Sequence, residues 1–390
     1  MNPKLVHRFP SAAFTAISTS CAILTLLTGC ADPPPVTDPL QAVLSSEDTS
    51  IARVMAAPEG YEVQIRYSRV LRKGDSVTFS NYDFRVDPEQ YFYPASTVKF
   101  PVALAALEKL NELDSLNRNT RYYIEGDSVE KSFARDITEI FAVSDNHSNN
   151  RLFEFLGQDA INHRIAAKGA GPFRVSHRLG IHRDVLTTQP LVIYLNDTLT
   201  TLSSPIVNSP PELLEISGVL KGAGYMEGDS LIPEPFDFRK KNYLPITTLD
   251  GLMKRVIFPE AFPEDQRIQI STEQRTFLLE TMKILPRQAG YDPKTYPDGY
   301  CKFFMFGDTE DPIPDQIEIY NKVGFAYGTL TDCAYIQDRE AGVEFLLTAT
   351  ILVNQDGIFN DDQYEYEEIG LPFLAALGRK LYEYERDQAH

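Results

Sequence analysis

The chain has 390 residues, of which 43% are hydrophobic and 24% charged, so its length and composition are those of a globular protein with a full core. Its formal net charge of −18 argues against nucleic acids and anionic membrane surfaces as partners. Composition alone leaves both an enzyme and a binding protein open.

The first thirty residues have the pattern of an export signal. A short basic start ends at Arg8, and residues 12–27 form an uncharged stretch that is too short and too rich in Ser and Thr for a membrane span. The residues Leu27-Thr-Gly-Cys30 resemble the lipobox of bacterial lipoproteins, in which the cysteine is lipidated. We therefore expect a lipoprotein signal peptide over residues 1–29 and an exported protein. Cys30 would anchor it to the bacterial cell envelope, at the periplasmic or outer-membrane face.

A proline-rich polar stretch follows the signal. It contains four prolines before residue 40, a composition typical of a stiff tether, so we assign residues 30–48 to a tether and residues 49–390 to the folded domain.

Strand patterns at both ends of this domain enclose a mostly helical middle. Apolar alternation and periodicity predict strands at 61–67, 77–82, 317–325, 329–337 and 343–353, and helices at 96–113, 133–143, 149–156, 158–168, 247–258, 272–285 and 371–384. Residues 186–245 are rich in Pro and Gly and predict a loop-rich insertion around one short helix. The order predicts an α+β fold, an α/β sandwich in which N- and C-terminal segments share an antiparallel sheet and a helical lobe is inserted.

Ser96 and Lys99 are the first candidates for chemistry. Ser96 begins an Ala- and Leu-rich helix, and three residues later Lys99 projects from the same face of its first turn. A serine and an amine at a helix N-terminus form a candidate nucleophile with its own base. The alternative is a capping serine followed by a solvated lysine, because the chain contains a second S-x-x-K match at Ser128 and Lys131.

Two further motifs follow in the chain. Ser144-Asp-Asn146 lies between two predicted helices, where a capping turn is the alternative interpretation. Lys322-Val-Gly324 lies on a predicted strand, where an edge-strand lysine is the alternative. In this order, S-x-x-K, S-D-N and K-x-G resemble the signatures of class A β-lactamases and penicillin-binding proteins.

The resemblance implies a β-lactamase/transpeptidase-like fold and a serine hydrolase that works through an acyl-enzyme. Ser96 would be the nucleophile, Lys99 would accept its proton, and Ser144 would relay a proton to the leaving nitrogen. The pKa of Lys99 would have to fall, through burial and through a nearby cation. No cofactor, metal or histidine is required.

The resemblance assigns substrate binding to the other motif residues. Asn146 would hold the amide side chain of the substrate, and Lys322, followed by Gly324, would attract a substrate carboxylate. The backbone N–H groups of Ser96 and Phe325 would form the oxyanion hole. A β-lactam or a cell-wall peptide would be the substrate, and we expect a monomer.

The chain departs from the family pattern at two places. Val323 replaces the usual Thr or Ser, and bulky Phe325 follows, so recognition of ordinary penicillins is in question. The glutamate that releases the acyl group in the family's β-lactamases has two incompatible placements, one near Arg183 with Asp184 beside it and one near Glu234. A penicillin-binding DD-peptidase and a non-catalytic binding protein therefore remain alternatives to a β-lactamase.

Two cysteines remain outside the export signal. Cys301 and Cys333 could form a disulfide in an oxidising compartment, but two buried thiols are the default expectation.

Overall fold

The computed structural model describes residues 38–389 of the chain. The expected signal peptide at residues 1–29, the expected lipidation site Cys30 and the first part of the expected tether lie outside the described residues. None of the helices within 38–389 is both long and apolar enough to cross a membrane.

Fourteen strands and ten helices make up the described part of the chain. The strands are β1 (Gln64–Lys73), β2 (Ser76–Phe84), β3 (Arg121–Ile124), β4 (Lys131–Ser132), β5 (Leu191–Tyr194), β6 (Thr200–Leu202), β7 (Leu220–Lys221), β8 (Gly224–Glu227), β9 (Ser230–Ile232), β10 (Phe236–Asp237), β11 (Ile317–Ala326), β12 (Thr329–Asp338), β13 (Val343–Leu352) and β14 (Ile358–Phe359). The helices are α1 (Pro39–Leu44), α2 (Thr49–Met55), α3 (Lys99–Glu112), α4 (Phe133–Ala142), α5 (Asn146–Leu156), α6 (Gln158–Ala166), α7 (Ile246–Ile257), α8 (Thr272–Met282), α9 (Phe303–Phe306) and α10 (Leu371–Ala389).

A five-stranded antiparallel sheet lies at the centre, in the order β11-β12-β13-β1-β2. Successive residues of a strand face opposite sides of a sheet, and here both sides are covered. On β13, Leu346 belongs to the core that contains Leu249 of α7, whereas its neighbour Leu347 belongs to the core that contains Phe373 of α10. The α+β sandwich predicted from the order of elements is confirmed.

The helical lobe comprises α3 to α6 and α8. Its helices begin at the capping signals that the sequence carries: Ser132 accepts a bond from Arg135 N, Asp145 from Ser148 N, and Ser271 forms a capping box with Gln274. Helix α3 packs on α5 and α6, and a 3-10 turn at Ala95–Val98 joins it to the sheet by packing against β11. The lobe and the edge of the sheet therefore meet where Ser96 lies.

The predicted end of the tether at residue 48 is wrong. Asp38 caps α1, Pro39 occupies its first position, and Leu40, Val43 and Leu44 are buried in the core beside α10. The spacing of these three apolar residues puts them on one helical face, so the folded domain begins before residue 49.

The expected insertion also differs from its prediction. Residues 186–245 contain six short strands and no helix. Strand β8 pairs in parallel with β14, which lies more than a hundred residues further along the chain, so this segment is held by distant partners rather than by a local pattern.

Candidate active site

Ser96 lies in the 3-10 turn that leads into α3 and lines a cavity of about 480 Å³. The turn is held by Thr97, whose hydroxyl donates to Pro94 O at 2.6 Å. Ser96 itself is half-buried. A nucleophile in this place is fixed by the backbone and still open to a substrate.

Three residues from distant parts of the chain, Lys99, Ser144 and Lys322, contact one another without lining the cavity. Lys322 Nζ donates to Ser144 Oγ at 2.8 Å, and Lys99 Nζ lies 3.3 Å from the same oxygen. Lys99 also donates to the backbone oxygen of Ser144, and Lys322 donates to Val323 O at 2.7 Å. Because Ser144 Oγ accepts both bonds, its own proton is available to a third partner. No hydrogen bond joins the Ser96 hydroxyl to Lys99 in the described structure, and such contacts often tighten only when substrate binds.

Burial lowers the pKa of both lysines, and a neighbouring cation lowers that of Lys99 further. Burial, and then the nearby cation Lys322, hold the pKa of Lys99 well below its usual range. Burial also lowers the pKa of Lys322 to about 8, although Cys301 and Asp332 oppose this effect. Both side chains are at most 1% exposed, so water does little to screen them. Lys99 thus has the environment that a basic amine requires.

The edge strand β11 passes directly over the nucleophile at Gly324. A Cβ atom built there would lie 2.7 Å from Pro94 O and 2.8 Å from Ser96 N, so only a glycine fits without displacement. This approach brings the backbone of Phe325 next to Ser96, where the two predicted oxyanion-hole N–H groups could act together.

Of the four predicted substrate-binding residues, Asn146 and Phe325 line the cavity, whereas Gly324 does not and Lys322 is buried. Asn146, the first residue of α5, is exposed on one wall. Phe325 is on the other wall and is 44% exposed, and its ring lies between those of Phe303 and Tyr366. Phe325 and Tyr366 also line an adjoining cavity of about 640 Å³, so they separate two hollows.

Backbone strain is concentrated at this site. Ala95, Ser144 and Tyr327 have φ angles of 46°, 58° and 53°, a left-handed conformation that residues with a side chain rarely adopt. Ala95 and Tyr327 line the cavity, and Ser144 contacts both lysines. Strain of this kind persists where the surrounding structure imposes it, and it clusters at functional sites.

The two acids considered for release of the acyl group do not line the cavity. Asp184 and Glu234 are both exposed. Leu179, Gly180 and Arg183 line the cavity instead, and we call this side of the cavity the loop wall. The side chain of Asn150 clamps Leu179: its Nδ2 donates to Leu179 O, and its Oδ1 accepts from Leu179 N, each at 2.9 Å. The clamp fixes the backbone of Leu179 at the cavity, while Leu179 itself is buried in the core of the helical lobe.

Arg178 holds the rest of this loop. Its guanidinium pairs with Glu154 and donates to Val185 O at 2.6 Å and Thr187 O at 2.9 Å. The Arg178 and Glu154 side chains are 2% and 1% exposed. The loop is therefore anchored by a buried ion pair.

Several cavity residues were not among the predicted site residues: Tyr93, Arg183, Tyr327, Asn360, Asp362, Tyr364 and Tyr366. Tyr364 and Tyr366 come from the segment between β13 and α10, where tyrosines alternate with acids. That clustering of tyrosines in a polar segment was the one available signal. Cys301 and Cys333 are both free and buried, as the default expectation had it.

Comparison with known proteins agrees with this architecture. A family model described as the Beta-lactamase enzyme family matches residues 48–203. The fold is similar to β-lactamases from Sphaerobacter thermophilus (15% identity, TM-score 0.50, covering 89% of this chain and 96% of that one) and Desulfarculus baarsii (15%, 0.51, 88% and 97%). A β-lactamase from Xanthomonas campestris is similar to the same degree (14%, 0.50, 88% and 96%). No curated protein matches the chain. The chain therefore has the fold of β-lactamases, and its residues 48–203 match the model of the Beta-lactamase enzyme family.

Proposed function

We propose that this protein opens β-lactams or related amides through an acyl intermediate on Ser96, in the manner of class A β-lactamases. The observation that carries the proposal is the convergence of Lys99 and Lys322 on Ser144 Oγ, at 3.3 Å and 2.8 Å, while Ser96, three residues before Lys99, lines a cavity. A hydroxyl nucleophile, a buried amine of lowered pKa and a second hydroxyl between two amines are the groups that acyl transfer to serine requires.

Each step of acylation has a group to perform it. Neutral Lys99 takes the proton of Ser96 as the Ser96 oxygen bonds to the carbonyl carbon. The N–H groups of Ser96 and Phe325 stabilise the oxyanion that forms. As the carbon–nitrogen bond breaks, Ser144 passes a proton to the nitrogen and is reprotonated by the lysines. Charged Lys322 attracts the substrate carboxylate.

Slow release of the acyl group is the second feature of the proposal. Among the described residues, no carboxylate from the loop after Asn146 lines the cavity, and Leu179 lies on that wall. A penicillin-binding peptidase, which keeps its penicillin adduct, is therefore the second candidate function. The third, a non-catalytic binding protein, rests on Val323 and Phe325 as departures from the family pattern.

Time-resolved intact mass with a penicillin distinguishes the three functions. A hydrolase forms an adduct and then loses it, a peptidase keeps the adduct, and a binding protein forms none. The Ser96→Ala variant should form no adduct. The matched control is Ser128→Ala, which alters the exposed serine of the second S-x-x-K match and should leave the adduct unchanged. An adduct on Ser96→Ala would refute the assignment of the nucleophile.

We further propose that the protein is an exported, lipid-anchored monomer. The supporting observation is the Leu27-Thr-Gly-Cys30 sequence after an uncharged apolar stretch. Labelled palmitate should be incorporated by the native chain and by Cys21→Ala, but not by Cys30→Ala. Label on Cys30→Ala would exclude this anchor, and light scattering of residues 38–390 would test the monomer.

A further inference from the structure

We propose that Arg183 binds an anionic group carried on the acyl side chain of the substrate, the part that stays on Ser96. This inference rests on the proposed function and names its substrate class: acyl donors whose side chain bears a carboxylate or a similar anion. Arg183 is thereby a specificity residue and takes no part in bond breaking.

The position of Arg183 places it on the acyl side. It lines the same cavity as Ser96 and follows Leu179 and Gly180 on the loop wall. A Cβ atom on Gly180 would lie 3.7 Å from Asn146 Nδ2, so this loop borders the amide that would hold the side chain of the substrate. A group extending past Asn146 along this wall reaches the guanidinium.

The hydrogen bonding of Arg183 leaves it available to a ligand. Its Nη1 donates to the Tyr327 hydroxyl at 2.9 Å, and within residues 38–389 it makes no ion pair. By contrast, the guanidinium of Arg178, five residues earlier on the same loop, donates hydrogen bonds to Glu154 and to two backbone carbonyls. An arginine fork with open N–H groups in a cavity is suited to a carboxylate.

Charged groups of both signs lie around Arg183. Burial and the charge of Arg183 lower the pKa of Lys241, so a second cation lies near, and the charges of Asp184 and Asp237 oppose this effect. Asp184 is exposed and does not line the cavity. Asp362 does line the cavity, but it is exposed and makes no ion pair with Arg183 in the described structure. Among the described residues that line the cavity, Arg183 is the only cation, so its guanidinium is the group there that attracts an anion.

Two penicillins that differ by one carboxylate test this inference. Benzylpenicillin and carbenicillin share a phenylacetyl side chain, and carbenicillin carries a carboxylate on its α-carbon. Second-order rates of Ser96 acylation, followed by intact mass, should favour carbenicillin by about tenfold, the size of one hydrogen bond to a charged group. Arg183→Gln should abolish the preference and Arg183→Lys should keep part of it.

Two further variants separate charge from structure. Tyr327→Phe removes the hydrogen bond to Arg183 but leaves the cation, so the preference should persist. Asp362→Asn removes a negative charge from the cavity and should increase the preference. If Tyr327→Phe lost the preference for carbenicillin, the hydrogen bond between Arg183 and Tyr327 would be responsible for it and not the free N–H groups of Arg183. That result would overturn the inference.

The outcomes distinguish this inference from the proposed function. Equal acylation by the two penicillins overturns the role of Arg183 and leaves the acyl-Ser96 function standing. A preference that survives in Arg183→Gln also overturns it, because another cation would then be responsible. No adduct with either penicillin overturns the proposed function and this inference with it.

Discussion

Replacing Lys322 with Met should move acylation of Ser96 to higher pH. Both lysine Nζ atoms contact Ser144 Oγ, at 2.8 Å and 3.3 Å, so they cannot be further apart than about 6 Å. At an effective dielectric constant of about 20, two positive charges at this separation repel by about 3 kcal/mol. That repulsion helps to keep Lys99 neutral.

The sign of the effect follows from the role of Lys99 as base. Acylation rises with pH as Lys99 loses its proton, and removing a neighbouring cation raises the pKa of Lys99. The rising limb of the rate profile should therefore shift to higher pH in Lys322→Met. At a fixed pH on that limb, about 3 kcal/mol corresponds to a rate loss on the order of 100-fold. Lys322→Arg keeps the charge and is the matched control.

The assay uses an uncharged aryl ester as substrate, so that the loss of carboxylate binding at Lys322 does not affect the measured acylation rate. Intact mass after timed quenching gives the acylation rate from about pH 5 to about pH 10. A carboxylated substrate should show in addition a falling limb in the native protein, because the pKa of Lys322 is lowered to about 8. An unchanged rising limb in Lys322→Met would refute the electrostatic coupling of the two lysines.

Three further predictions concern the backbone and the loop. Gly324→Ala should lower the acylation rate by at least about 100-fold, because a Cβ atom at this position would lie 2.8 Å from Ser96 N. The free energy of unfolding should fall by only about 1 to 3 kcal/mol, and an acylation rate like that of the native protein would contradict the prediction. Arg178→Met should cost about 3 to 5 kcal/mol in urea unfolding by leaving Glu154 buried and unpaired, and adding Glu154→Leu should restore most of the loss. Burial lowers the pKa of His177 to about 4, so this side chain stays neutral in the folded state. Its contribution to the free energy of unfolding is therefore present above about pH 6.5 and is lost as the pH falls towards 4. His177→Gln should therefore show a smaller fall in urea midpoint over that range, and an identical fall would exclude this role.

Local sequence patterns predicted those helices and strands whose starts and periodicity depend on residues close together in the chain. The capping box of Ser271 and Gln274 begins α8 as expected, since both partners are three residues apart. The strand pattern over residues 317–353 became β11, β12 and β13, because β-branched and aromatic residues favour strands and a turn signal separates β12 from β13. The insertion was less predictable, since β8 pairs with β14 across more than a hundred residues.

The candidate site was predictable only as a set of motifs. Ser96, Lys99, Ser144 and Lys322 could be named because each belongs to a short signature. The resemblance placed the family's loop glutamate near Arg183, but the hydrogen bond between Arg183 and Tyr327 could not be predicted, because no spacing in the chain relates a loop arginine to a tyrosine 144 residues away.

The sequence by itself determined which groups of the chain could do chemistry and the fold class that would carry them, because those depend on residue types, their order and their local periodicity. Only the tertiary structure decided which of these side chains contact each other, how deeply they are buried and how their pKa values shift. The depressed pKa of Lys99 comes from burial and from Lys322, which is more than two hundred residues distant. The position of the Leu179 backbone at the cavity comes from the clamp by Asn150. Burial and charge proximity are properties of packing between distant segments, and no local pattern records them.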